Sequence, residues 1–261
     1  MDPASIIGVS LAFGAVLASI LIEGSSPMAV VLPAPMMLVI GGTLGAGLAS
    51  STMKDAKRAF GAISKAFTLK LPKPEVTIDT LVSLADRARR EGLLALEDAA
   101  KEIEDEFLRA GLQAAIDGTD PDDLRTILDD KIATKRSMDG MCAKYFAAMG
   151  GFAPTIGIIG TVVSLVKVLQ NLSEPDKLGE SIASAFVATL WGLLSANLMW
   201  LPLAGRLKRA SELECTQMEV AVEGLLAVQA GANPRLVGER LRSLLAVEPS
   251  KPAKGDKKVA A

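Results

Sequence analysis

Charged side chains are absent from four stretches of the chain, residues 4–22, 28–49, 145–166 and 182–204, and fill the intervals between them. Each stretch is 19 to 23 residues long. At about 1.5 Å per residue, a helix of that length crosses a hydrocarbon core of roughly 30 Å, so the pattern predicts four transmembrane helices. Between the second and third spans the pattern becomes amphipathic: Ile78, Leu81, Val82, Ala85 and Ala88 recur at helical spacing behind Thr77, a candidate N-cap. Gly92 interrupts it, and a second amphipathic run, 93–116, ends at Asp117 and Gly118. Asp120 then offers an N-cap, Pro121 a first helical position and Asp122 and Asp123 first-turn acids, for a third helix that runs on into the membrane. After the last span, Leu207, Ala210, Leu213, Met218, Val222 and Leu225 mark a helix stopped at Gly231, and Asn233 with Pro234 opens a short one. Residues 248–261 are rich in proline and lysine and are expected to be disordered. No strand pattern and no internal repeat is visible.

The fold class predicted is therefore an all-α integral membrane protein. Four transmembrane helices are joined to a helical cytoplasmic domain formed by the 51–144 loop and the C-terminal segment. The expected division is 1–50 for the first two spans, 51–144 for the cytoplasmic helical domain, 145–204 for the last two spans, 205–247 for C-terminal cytoplasmic helices and 248–261 for the tail.

Composition narrows the chemistry. Half of the 261 residues are apolar and the mean hydropathy is positive, which excludes both a single soluble globule and a disordered chain. There is no histidine, so the usual general base, proton shuttle and commonest metal ligand are missing, and the chain is not expected to be an enzyme. Cys142 and Cys215 stand far apart with no ligand partner nearby and read as free thiols. A net charge of −2 leaves no basic excess for nucleic acid. The first apolar stretch has no basic leader and is too long for the core of a signal peptide, so it is expected to remain as a span. Of the 28 basic residues, 16 fall within 51–144 and 10 follow residue 204, which orients both termini and the large loop to the cytoplasm. The outer side receives the short loops 23–27 and 167–181.

Inside the spans no acid or base occurs, so the chain alone lacks the carboxylate that an intramembrane cation path normally needs. What it has are two faces of small and hydroxyl-bearing residues: Pro154, Gly157, Thr161 and Ser164 in the third span, and Ala185, Thr189, Gly192 and Ala196 in the fourth. Such faces let a helix approach closely, whether a partner's helix or one of the same chain. Pro154 and Pro202 deprive the carbonyls of Gly150 and Leu198 of their helical donors, and a freed carbonyl can ligate a cation or hinge a helix.

The motifs Ala153-Pro154-Thr155-Ile156-Gly157-Ile158-Ile159-Gly160-Thr161, Ala188-Thr189-Leu190-Trp191-Gly192 and Leu201-Pro202-Leu203-Ala204 resemble the MotA/PomA family of bacterial flagellar stators. So do Ala88-Arg89-Arg90-Glu91-Gly92-Leu93-Leu94-Ala95-Leu96-Glu97 and Ala232-Asn233-Pro234-Arg235. The resemblance spans nearly the whole chain. It implies a homo-pentamer in the bacterial inner membrane, around two copies of a MotB/PomB-type peptidoglycan-binding subunit whose membrane helix carries an aspartate. It implies an ion path along Pro154, Gly157, Thr161, Thr189 and Pro202, and contact of Arg89, Arg90 and Glu97 with a rotor switch-complex protein. No cofactor is implied beyond the transported cation. Sodium is favoured over a proton, because sodium-driven members resemble this chain in having threonine at position 161; Thr161 and Thr189 would hold the ion transiently with the partner aspartate. One departure is Trp191, where the family usually has tyrosine, so that any hydroxyl contact is lost. The alternative is an ExbB/TolQ-type ion-driven energiser of an envelope transport system, which differs in having three spans and an outside N-terminus. A self-contained channel is disfavoured, because no charged midplane site exists within the chain.

Overall fold

The computed structural model describes residues 3–68 and 74–245. The proposed tail at 248–261 lies outside the described residues. In chain order the helices are α1 (Pro3–Ile22), α2 (Pro33–Ala49), α3 (Met53–Thr68), α4 (Pro74–Glu91), α5 (Glu97–Glu102), α6 (Glu106–Ile116), α7 (Pro121–Gln170), α8 (Pro175–Leu194), α9 (Leu201–Gln229) and α10 (Pro234–Leu244). Short 3-10 turns at Pro27–Val30 and Leu93–Leu96 and a π segment at Ser195–Trp200 complete them, and no strand is present among the described residues. The chain forms two compact units, residues 3–68 with 136–212 and residues 74–135 with 213–245.

The first unit holds the apolar helices of this all-α integral membrane protein. The second predicted span is not one helix. Leu32 precedes Pro33 and is held extended (φ −104°, ψ 119°), because the proline ring crowds the α region of the residue before it. The stretch therefore divides into the Pro27–Val30 turn, with Ser26 as its N-cap, and a 17-residue α2, near the short limit for a span. The third predicted span is the C-terminal part of the 50-residue α7, which contains Pro154. As its sequence anticipates, α7 begins at Pro121 and the Asp120 carboxylate accepts from the Asp122 N–H at 2.9 Å. The fourth span is α8 continued through the π segment into α9. In that segment the Leu201 N–H donates to the Ala196 carbonyl, five residues back, immediately before Pro202 removes the next donor. The periodicity of the sequence gave no sign of this widened turn. The core of this unit is Ala56, Ala59, Cys142, Tyr145, Phe146, Met149, Ala204 and Leu207. Phe60, Tyr145 and Phe146 meet edge to face, and Phe146 stacks on Trp200 with ring centroids 6.2 Å apart.

The second unit is polar outside and closed around Ile78, Leu81, Leu96, Leu112, Leu124, Leu128, Leu225 and Leu241. Two local expectations are corrected here. Thr77 is not an N-cap: α4 starts earlier, at Pro74, and Thr77 lies buried inside it, accepting from the Gln217 side chain at 2.7 Å. Proline at a first helical position costs no hydrogen bond, which makes Pro74 the better start. The run 93–116 is also not one helix. Gly92 takes φ 86°, a conformation open to glycine, and the chain then makes the 3-10 turn, α5 and α6 in succession. Asp105 caps α6 by accepting from the Leu108 N–H at 2.9 Å, a start signal masked in the sequence by the acids around it. The helix from the last span ends as anticipated at Gly231 (φ 63°), and the Asn233 side chain accepts from Arg235 N–H to open α10.

Candidate functional site

In the apolar unit the two small faces meet each other. A Cβ placed on Gly157 would lie 3.0 Å from the Ala188 carbonyl oxygen and 3.3 Å from the Gly192 Cα; one on Gly192 would lie 2.8 Å from the Ala153 carbonyl oxygen and 3.1 Å from the Gly157 Cα. Backbone thus touches backbone where α7 passes α8, and no side chain fits between. Gly160 instead makes room for a side chain, the Ala188 methyl, which would lie 2.6 Å from an added Cβ, and farther along α7 the Ser164 and Ser184 hydroxyls are 3.4 Å apart. Of the two occupants the sequence leaves open for these faces, the structure seats the chain's own helix at Gly157 and Gly192.

Of the other predicted pathway residues, Pro154, Thr161 and Thr189 flank this crossing and Pro202 does not. Thr161 is half-buried, and its hydroxyl donates to the Ile158 carbonyl at 2.6 Å. Its proton is thereby engaged within α7, so the polar capacity that remains on the oxygen is its lone pairs, which accept a donor or a cation. Thr189 is half-buried beside Gly157, which its Cα approaches closely. Pro154 is half-buried in α7, one turn before Gly157. Gly150, whose carbonyl Pro154 deprives of a donor, is buried against the Leu201 side chain. Pro202 is exposed and follows the π segment, in which the Asn197 side chain donates to the Leu193 carbonyl at 2.9 Å. The crossing brings Gly157 and Thr189 together; Pro202 stands apart from it, beyond the π segment.

Two contacts lay beyond the reach of sequence reading. The Ser164–Ser184 contact joins positions 20 apart in the chain, and of the two only Ser164 lies on a small face that the sequence pattern marks. Trp191 does not forgo a polar contact by replacing tyrosine: its indole N–H donates to the Val30 carbonyl at 2.7 Å, tying α8 to the 3-10 turn ahead of α2. Val30 carries no sequence signal of its own, because any backbone carbonyl can accept.

In the polar unit Arg89, Arg90 and Glu97 are all exposed, at the end of α4 and the start of α5. Arg90 pairs with Asp86 at 2.9 Å, one turn back, while its side chain stays 72% exposed. Arg87 pairs with Glu91 at 3.2 Å, and Arg89 has no ion pair among the described residues. Beyond the turn, the Lys101 ammonium donates to Asp98 at 3.0 Å and, by that hydrogen bond and its charge, holds the carboxyl below the usual aspartate range. Leu96 is buried and anchors the turn, whereas Leu94 is 76% exposed among these charges. The arrangement is an exposed, charged corner, suited to contact with another charged surface.

Comparison with known proteins gives the family. Residues 99–220 match the MotA/TolQ/ExbB proton channel family, and residues 6–92 match the motility protein A N-terminal family. Motility protein A of Bacillus subtilis is 34% identical over 92% of this chain and 90% of its own length. Chemotaxis protein PomA of Vibrio alginolyticus is 34% identical, with coverage of 94% and 96%. The solved flagellar MotAB stator complex from Bacillus subtilis contains a chain of the same fold, with a TM-score of 0.87, 34% identity and coverage of 93% and 96%. The wider family includes the ExbB and TolQ proteins, but the N-terminal match and the near full-length relatives are motility proteins, so the energiser alternative has the weaker support. Four apolar helices, a polar helical unit and these matches over nearly the whole length lead to one assignment: the chain belongs to the MotA family, the inner-membrane stator subunits of the flagellar motor.

Proposed function

We propose that this chain is the ion-conducting, torque-generating half of a stator driven by sodium, working as a homo-pentamer around a MotB/PomB-type subunit that supplies the missing aspartate. Both termini and the polar unit face the cytoplasm, as the concentration of basic residues there requires. The observation that carries the reading is the state of Thr161. A hard cation stripped of water needs several oxygens at once, whereas a proton needs a single base. The apolar stretches offer no base, yet Thr161 has its proton committed to Ile158 and keeps its oxygen lone pairs for another partner. The partner's carboxylate and the neutral oxygens of Thr161 and Thr189, near the helix bearing Pro154, are the ligand set of a transient cation site.

Neutralising the carboxylate with each arriving ion changes how the partner helix sits against the ring, and the ring steps. One charge moving through 100 mV provides about 2.3 kcal/mol, the scale of such a conformational step. Arg89, Arg90 and Glu97 pass the step to charges on the rotor switch-complex protein.

The test is swimming and ion flux in cells carrying Thr161→Ala, in media with and without sodium. Rotation that requires external sodium, and that is abolished by Thr161→Ala while the partner still co-purifies, is the expected result. Undiminished swimming without sodium, halted by a protonophore, would make this a proton motor and leave Thr161 as packing. The chain reconstituted without its partner should be ion-tight, because a cation inside the bilayer is costly without a carboxylate.

A further inference from the structure

After a short break from α2, α3 opens with a reciprocal cap: the Thr52 hydroxyl accepts from the Asp55 N–H at 3.2 Å and donates to the Asp55 carboxylate at 2.7 Å. The inner face of α3, with Ala56 and Ala59, is buried in the core shared with Cys142, Phe146, Ala204 and Leu207. Its outer face carries Lys54, Lys57 and Arg58 at i, i+3 and i+4, all exposed. The two other helices of that core each add an exposed lysine next to their buried residues, Lys144 beside Tyr145 on α7 and Lys208 beside Leu207 on α9. None of these five cations makes an ion pair or a side-chain hydrogen bond among the described residues. The acids along the same helices are taken: Asp55 by Thr52, Glu212 by Arg209 at 3.5 Å, and Asp139 is partnered too. Arg206 also has a partner and is no part of the set.

The five cations share one place in the apolar pattern. Lys144 directly precedes the uncharged stretch 145–166, Lys208 follows the stretch 182–204 by four residues, and Lys54 follows the stretch 28–49 by five. Each is thus within a turn or two of the end of a span, the depth at which hydrocarbon gives way to lipid headgroups. On the edge of α3, Met53 (62% exposed) and Phe60, seven residues apart, keep apolar surface exposed beside the cations. A helix with a basic outer face and an apolar edge suits the boundary between headgroups and acyl chains. A protein surface fits less well. Protein interfaces are depleted in lysine, and four of the five cations are lysines, flexible point charges better matched to mobile phosphates than to fixed carboxylates.

We propose that Lys54, Lys57, Arg58, Lys144 and Lys208 form a belt that binds the headgroups of anionic phospholipids. This rests on the reading above that the polar unit faces the cytoplasm, which sets the belt against the cytoplasmic leaflet. A cluster of this size immediately beyond the spans is enough to select anionic over zwitterionic lipid.

The experiment uses the whole stator complex, purified with its partner into nanodiscs of phosphatidylcholine mixed with phosphatidylglycerol. Lipid retained after a mild wash is read by native mass spectrometry, and the belt is inspected by electron cryomicroscopy. Both leaflets of the disc have the same composition, so the readout depends neither on orientation nor on ion coupling, and a negative result leaves the reading of the ion path standing. Phosphatidylglycerol should be enriched about fivefold over phosphatidylcholine relative to the bulk, the weight of one cation facing an anionic surface. Glutamine at all five positions should return the ratio to bulk, while exchanging lysine for arginine and arginine for lysine at the same positions should keep it. Should the glutamine variant fail to assemble, the unmodified complex decides alone: in about 1 M sodium chloride, where the Debye length falls to about 3 Å, the enrichment should at least halve. A bulk ratio in the unmodified complex, or an enrichment that survives both the glutamine substitutions and the salt, would overturn the proposal. So would displacement of the lipid by millimolar inorganic phosphate, which would mark a site for free anions, or acids of a neighbouring copy seated on the five cations.

Discussion

Replacing Gly192 by alanine adds one methyl group at the point where α7 and α8 touch through their backbones. That methyl would meet the Ala153 carbonyl oxygen at 2.8 Å and the Gly157 Cα and N at 3.1 and 3.4 Å. All three are main-chain atoms of a helix, so no side chain can swing aside; the helices must part by several tenths of an ångström. Overpacking of this kind costs about 1–3 kcal/mol. Gly157→Ala strains the same contact from the other side, against the Ala188 carbonyl and the Thr189 and Gly192 Cα atoms, so the double substitution should cost less than the sum of the two. Gly151→Ala is the control. It lies on the same helix with nothing within 4 Å of the added carbon, and there the higher helix propensity of alanine makes the change neutral or favourable by up to about 1 kcal/mol. Thermal midpoints of the detergent-purified complex should rank Gly151→Ala at or above the unmodified protein and Gly192→Ala well below it. If Gly192→Ala melts with Gly151→Ala, or if the two crossing mutations are fully additive, the direct backbone contact is not what holds α7 to α8.

The charged corner should act by electrostatics: Arg90→Glu and Glu97→Lys are expected to leave assembly and the thermal midpoint unchanged, since exposed pairs are worth less than about 1 kcal/mol, while swimming falls. Loss of assembly in either variant would instead make the corner structural. Burial pushes the Cys142 thiol above its ordinary value, so thiolate is scarce at neutral pH; maleimide labelling of the folded complex should be slow at Cys142 and should accelerate on denaturation. Trp191→Phe keeps the aromatic body and removes the donor to Val30. Its cost should be about 0.6 kcal/mol, the average for a hydrogen bond between membrane helices, and a melting curve identical to the unmodified protein would mean the Val30 carbonyl finds another partner.

Much of the fold was legible because membrane helices and caps have strong local causes. The start of α7 at Pro121, the stop at Gly231 and the opening of α10 at Asn233 each rest on a side chain or a φ angle that acts within a few residues. What stayed hidden rests on competition between neighbours or on distant partners. Thr77 has the chemistry of a cap, yet Pro74 begins the helix three residues earlier and Gln217, 140 positions away, takes the hydroxyl instead. The π segment is invisible because its cause, Pro202, permits a kink, a hinge or a widened turn alike, and only packing selects one.

The candidate site divides along the same line. A glycine in a membrane helix announces that something comes close, and the sequence cannot name what, since the same faces suit the chain's own helix or a partner's. The structure gives Gly157 and Gly192 to each other, which removes them as a seat for a foreign helix at that point. Thr161 lies just over one helical turn beyond Gly157 and is half-buried. Its backbone-bound hydroxyl is a common packing device in membrane helices, and the same bond fixes the direction of the lone pairs. If Thr161 mattered only for packing, serine, which keeps the hydroxyl and loses a methyl, should assemble less well than valine, which keeps the shape. If the oxygen is a ligand, the order in sodium-dependent swimming reverses: Thr161→Ser retains rotation, and Thr161→Val assembles but does not turn. Equal swimming of the two variants would remove the oxygen from the ion path.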